Sequence, residues 1–150
     1  MPFEEKMTWV SGVTAVVVPL VYFIVMLGRL QETPAADISY QVPLIVAIVA
    51  SVVLSIIGAI VMAVGTGISA ELRGRKAEDE IERKDERDKS IARRGDLVGF
   101  YVSSVGIVGA LILTMTQADY FWIANAIYLS FAVGSVVGAV VKLVAYHRGF

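Results

Sequence analysis

Four long stretches of this chain carry no charged side chain: residues 7–28, 38–70, 97–118 and 120–141. Each exceeds the roughly 20 residues that a helix needs to cross the hydrocarbon core of a bilayer. In a chain of 150 residues the remaining polar surface is too small to wrap four such faces in water. Composition agrees, with 57% hydrophobic and 18% charged residues and a mean hydropathy of +0.72. The expected fold is all-α: a four-helix transmembrane bundle formed by residues 1–150 as a single transmembrane domain. Its spans are predicted at about 7–28, 42–68, 97–116 and 120–144. The first apolar run is longer than a secretory h-region and follows two acids, so it reads as an uncleaved span.

Short loops rich in Lys and Arg stay on the cytoplasmic side of a membrane. Of the 13 basic residues, all but Arg29 fall in the N-terminal tail, the connection between spans two and three, or the C-terminal end. Both termini and the charged connection are therefore expected in the cytoplasm of a cell that carries the chain in its plasma membrane. Trp9, Phe100 and Tyr101 suit the inner interface, and Tyr120-Phe121-Trp122 an outer aromatic belt.

Lipid tails are as apolar as leucine, so helices associate in a membrane through close backbone approach rather than by escaping water. Span two carries a row of small residues at every fourth position: Ala47, Ser51, Ser55, Ala59, Ala63 and Gly67. Span four carries Ser130, Gly134 and Gly138 at the same spacing, the last two forming a Gly-x-x-x-Gly contact motif. These rows imply close packing along both helices, against the same chain, a homo-oligomer or a larger membrane complex. Pro19 is expected to kink span one, and Pro43 suits the first turn of span two. The turn at 116–119 makes spans three and four a tight antiparallel hairpin, with Asp119 as N-cap of span four. Asp96 is expected to cap span three, or the charged helix before it to fuse with that span, with Gly95 as the bend point. Asn125, deep in span four, is expected to hydrogen-bond across to span three near Thr114.

Between Glu71 and Asp96 the pattern changes to nine basic and nine acidic residues. Pairs four apart, such as Asp79 with Arg83, Glu80 with Lys84 and Asp85 with Lys89, favour a solvated helix over about 75–94 after a break at Gly74. Within it stand Asp85-Glu86-Arg87-Asp88, Ile91 and Arg94-Gly95-Asp96, leading directly into a span; the chain closes on Tyr146-His147-Arg148-Gly149. This pattern resembles an uncharacterised family of small prokaryotic integral membrane proteins, the domain of unknown function 2178. The resemblance covers the second half of the chain and implies the architecture. It makes Asp85, Glu86, Arg87, Asp88, Arg94 and Gly95 signature positions and brings no activity or cofactor.

Several chemistries are excluded on residue types. Without cysteine there is no disulfide, thiolate metal site or Cys-x-x-Cys couple. A single histidine, His147, cannot build a multi-histidine site. Arginines alternate with the loop carboxylates and compete with any cation, so no metal is expected there. A net charge of −1 offers no field for nucleic acid. No span holds the ionisable group on which ion-coupled transport depends, and no serine has a base near it. The expectation is a non-enzymatic binding, scaffolding or regulatory membrane subunit, without cofactor, that meets a cytoplasmic protein through its charged loop. The alternative is an oligomeric small-solute channel or carrier lined by Ser51, Ser55, Thr66, Ser103 and Asn125.

Overall fold

The structure, a computed structural model, describes residues 3–72 and 86–148, with side chains described for 3–68 and 86–148. Four helices account for nearly all of them: α1 (Phe3–Glu32), α2 (Gln41–Leu72), α3 (Glu86–Met115) and α4 (Tyr120–Arg148). Each is long and apolar enough to cross a membrane. At 1.5 Å per residue they run roughly 43–48 Å against a hydrocarbon core of roughly 30 Å, so every helix extends beyond the lipid by a turn or more. The expected spans one, two and four lie inside these helices; the third runs one residue past Met115, where α3 ends. Gly74, the pairs at 79–84 and the 75–85 part of the predicted loop helix lie outside the described residues.

The helices pack in the order α2, α1, α4, α3: α1 lies between α2 and α4, α3 rests on α4, and among the described residues α2 and α3 share no extensive contact. Successive helices alternate in direction. The start of α1, the end of α2, the start of α3 and the end of α4 therefore share one end of the bundle. That end is marked by contacts from Lys6 to Thr66, Asp96 to Lys142 and Glu5 to His147; the opposite end holds the two short connections.

The seam between α3 and α4 is built from glycine. On α3 the buried positions Asp88, Ile91, Gly95, Gly99, Ser103 and Ala110 recur at three, four or seven residues, one face of a helix. They meet Ser130, Gly134 and Gly138 of α4. A Cβ on Gly99 would stand 2.7 Å from the Gly134 carbonyl oxygen, and one on Gly138 would stand 2.9 Å from that of Gly95. Backbone thus touches backbone, which is the contact that association in lipid requires. The close approach predicted for Gly134 and Gly138 occurs within the chain.

Two expectations fail on this seam. Helix α3 runs unbroken from Glu86, so the charged segment fuses with the span, Gly95 does not interrupt the helix and Asp96 is no cap. Gly95 is needed because a side chain there would overlap Lys142 and stand 2.8 Å from the Gly138 carbonyl oxygen. Asp96 instead takes the Lys142 ammonium at 2.6 Å.

The hairpin turn closes by a Schellman pattern, with Ala118 N–H donating to Leu113 C=O at 3.0 Å and Gln117 N–H to Thr114 C=O at 3.1 Å. Gln117 accordingly adopts φ of 55°, where glycine is usual. Asp119 opens α4 as expected: its carbonyl accepts from Trp122 and Ile123. Pro43 sits in the first turn of α2, and α1 continues through Pro19 without a break.

At the turn end, Tyr22, Met26, Ile38, Ala47 and Phe121 form the buried cluster that joins α1, α2, α4 and the first connection. Arg29 fastens that connection by donating to Ser39 C=O at 2.9 Å. Phe121 corrects the predicted aromatic belt. Tyr120 and Trp122 are exposed, but Phe121 points inward at 3% exposure, edge-on to Tyr40. Three consecutive helical residues span about 200° and cannot all face lipid. Along α2, Ala47 is buried and Ser51, Ser55, Ala59, Ala63 and Gly67 are half-buried. Gly58, beside that row, lies so close to Val10 of α1 that a Cβ would overlap it.

Candidate functional site

The charged end gathers most of the polar side chains that sequence singled out. Helix α3 leaves the lipid-crossing region as Glu86–Asp96, and its 3.6-residue period divides the signature into two faces. Asp88, Ile91 and Gly95 are buried; Glu86, Arg87, Lys89, Arg93 and Arg94 are exposed. Lys89 holds Glu86 at 2.6 Å across a helical turn. Asp85 lies outside the described residues.

The two pieces of the family resemblance meet here. Tyr146 stands close to the Asp88 carboxylate, with Glu4 and Glu5 of α1 nearby. Glu5 is itself buried and stands 3.5 Å from His147 Nδ1. The start of α1, the start of α3 and the end of α4 are thereby tied into one polar cap. The family resemblance had marked Asp88 and Tyr146 separately; the parts played by Glu4 and Glu5 had no signal beyond their charge. Among the described residues, no group of three or more His, Cys, Asp or Glu side chains could hold a metal ion.

Below the cap, two clefts open into the bundle. The first, about 530 Å³, lies between α1, α3 and α4, with Glu4, Asp96 and Lys142 around its mouth and Ser11, Phe131 and Ser135 at its inner limit. The second, about 710 Å³, lies between α1, α2 and α4 and runs past Ser51 and Ser55 to Leu44 and Ala124. It shares Ser11, Phe131 and Ser135 with the first.

The five residues proposed to line a pore are scattered. Ser51 and Ser55 face the second cleft and Ser103 the first. Thr66 accepts from Lys6 at 3.4 Å. Asn125 is sealed in the core and does not reach Thr114: its Nδ2 donates to Phe121 C=O at 2.8 Å, while Thr114 turns back to Ala110 C=O at 3.0 Å. Both satisfy themselves within their own helix, four residues back, a local bond available at any register between the helices.

Beside Asn125 Oδ1, the hydroxyls of Tyr22 and Tyr128 are also buried without a hydrogen-bond partner. The rings are T-shaped at 5.1 Å, so packing rather than polarity fixes them. Removing an unpaired buried hydroxyl costs no bond and relieves its desolvation. Tyr22→Phe is therefore expected to leave stability unchanged or raise it by about 1 kcal/mol, read from the midpoint of unfolding in mixed detergent.

Four apolar helices with valine, isoleucine and leucine exposed along their length, among them Leu20, Ile24, Ile45 and Ile56, define a multi-pass helical membrane protein. No protein-family model, curated protein or solved structure matches the chain.

Proposed function

We propose that the chain is a non-enzymatic scaffolding or regulatory subunit of the cell membrane, both termini cytoplasmic, that binds a protein partner through the exposed face of Glu86–Asp96. The observation that carries this reading is the division of that segment. One face is locked to the bundle by Asp88, Ile91 and Gly95, while Arg87, Lys89, Arg93 and Arg94 stand out from the other. A charged segment that served only solubility would need no such anchoring. Locking one face holds the opposite charges at fixed spacing, which lowers the ordering cost of recognition.

Orientation follows from the basic residues, all of which except Arg29 belong to the charged end or to the connection leaving it. Membership of the family that the motif resembles is part of the same proposal, since Asp88 and Tyr146 would then be kept for the cap and the arginines for the partner.

The test is capture of native complexes in mild detergent by the wild-type chain and by the double variant Arg93→Glu, Arg94→Glu. Both side chains are exposed, so the bundle should be unaffected. Loss of partners recovered at stoichiometric ratio, with the helical spectrum unchanged, is the expected result. An identical partner set would refute the reading, and solute flux through vesicles containing the purified chain would favour a channel instead.

A further inference from the structure

Helix α3 carries three acids, and each is committed. Glu86 is held by Lys89 at 2.6 Å, Asp96 by Lys142 at 2.6 Å, and Asp88 is buried on the seam side. Arg93 and Arg94 stand exposed on the same helix. Three and four residues from Arg94 lie Ser90, Ile91, Leu97 and Val98; around Arg93 the same positions hold Lys89, Ser90, Leu97 and the engaged Asp96. Residues at these spacings are neighbours on a helix surface. Thus α3 sets no uncommitted carboxylate beside either guanidinium.

Beyond the two arginines, the same side of the helix is apolar. Leu97 follows Arg93 and Arg94 by four and three residues, Phe100 and Tyr101 follow them by seven, and Val105 follows Arg94 by eleven. At 3.6 residues per turn these separations return to within about 60° of the arginines, and all four side chains are exposed. Height fixes what the arginines meet. Counted back from Met115, where α3 ends, a hydrocarbon core of roughly 30 Å is used up near Asp96. Arg93 and Arg94 lie within roughly 5 Å beyond that edge, in the layer of lipid headgroups. A guanidinium matches phosphate with two parallel hydrogen bonds, and its stem tolerates the apolar boundary.

We propose that Arg93 and Arg94 bind the phosphate of an anionic phospholipid in the adjoining leaflet, with an acyl chain lying along α3 over Leu97, Tyr101 and Val105. Two neighbouring cations favour a head of net negative charge over a zwitterion, whose own ammonium they repel. The apolar strip directly below favours a lipid over free phosphate. The site takes the membrane-proximal turn of the face assigned above to a protein partner, and it goes beyond that reading. It needs no partner, and a partner reaching Arg93 and Arg94 displaces the lipid.

The full chain, delipidated in mild detergent and offered equimolar phosphatidylglycerol and phosphatidylcholine in mixed micelles, is examined by native mass spectrometry. Wild type should retain phosphatidylglycerol with a preference of about ten-fold or more, and excess inorganic phosphate should not release it. In Arg93→Gln, Arg94→Gln the preference should fall to parity. Arg148→Gln removes an exposed cation from the same end of the bundle and should keep the wild-type preference. Helical content is checked in every variant; should the double variant fail to fold, Arg94→Gln alone decides, with an expected fall of about three-fold or more. Equal retention of the two lipids by wild type, an unchanged preference without the arginines, or an equal fall in Arg148→Gln would overturn the assignment. Release by inorganic phosphate would overturn it in favour of a free-phosphate site. Only the chain and two lipids are present, so the result is separate from whether a protein partner is captured.

Discussion

Replacing Gly134 with leucine should abolish the folded bundle. A Cβ at this position would overlap the Ser103 hydroxyl and stand 2.6 Å from the Gly99 carbonyl oxygen. Side-chain ends can rotate away; a carbonyl in the middle of a helix cannot, so α3 and α4 must separate along their length. Overpacking costs about 1–3 kcal/mol in soluble cores that can shift. A backbone-to-backbone seam in lipid has no hydrophobic gain to offset the separation, and the cost should reach about 3 kcal/mol or more. Unfolding followed by circular dichroism during titration with a denaturing detergent should show the midpoint falling below the range where the wild type is folded. Gly109→Leu is the matched control. Nothing lies within 4 Å of a Cβ built there, and its transition should coincide with that of wild type. If both variants behave alike, helix propensity rather than the seam governs stability.

Phe121→Ala should produce the second largest loss, at the opposite end. Phe121 is 3% exposed and packs with Tyr40 and Trp122 at ring separations of 5.7 and 5.2 Å. In water-soluble cores phenylalanine truncation costs about 3–5 kcal/mol, of which part is transfer from water and part the cavity left behind. In a bilayer the transfer part largely drops out, since a ring released to lipid remains in an apolar medium. The cavity and lost dispersion contacts remain, giving about 2–3 kcal/mol. The loss should be local. Hydrogen exchange should speed up around residues 22–47, where Tyr22, Met26, Ile38 and Ala47 share the cluster, and stay slow along the Gly95 to Gly138 seam. A uniform acceleration would mean that the two ends are one cooperative unit.

What could be read in advance follows from how each signal is encoded. Charge-free runs are set by the membrane itself, so the four helices and the tight turn after Thr116 were legible. Gly134 and Gly138 were legible as a contact because their spacing matches a helix face. Gly95 was misread, since the same residue type permits a bend and a close approach, and only the position of Lys142 and Gly138 on the neighbouring helix distinguishes them. Asp96 was misread in the same manner: an aspartate before an apolar run suits a helix start, yet its partner lay 46 residues away on α4. Asn125 and Thr114 lie at plausible depths for a bond, but relative rotation of two helices leaves no trace in either one's spacing. The row on α2 declared tight packing and withheld the partner, which Gly58 and Val10 identify as α1. The two clefts had no signature at all, because a groove arises from three helices at once.

The linear arrangement of the helices bears on biogenesis. A ring of four members fails when any seam opens, whereas a file of four can be extended or shortened at its flanks. The consecutive helices α1 and α2 pack on each other and can pair first; the hairpin of α3 and α4, joined by so short a turn, can zip as a second unit and dock on α1 through α4. During synthesis α2 can settle on α1 as soon as it is made, and its nearly uninterrupted coat of valine and isoleucine is left facing lipid.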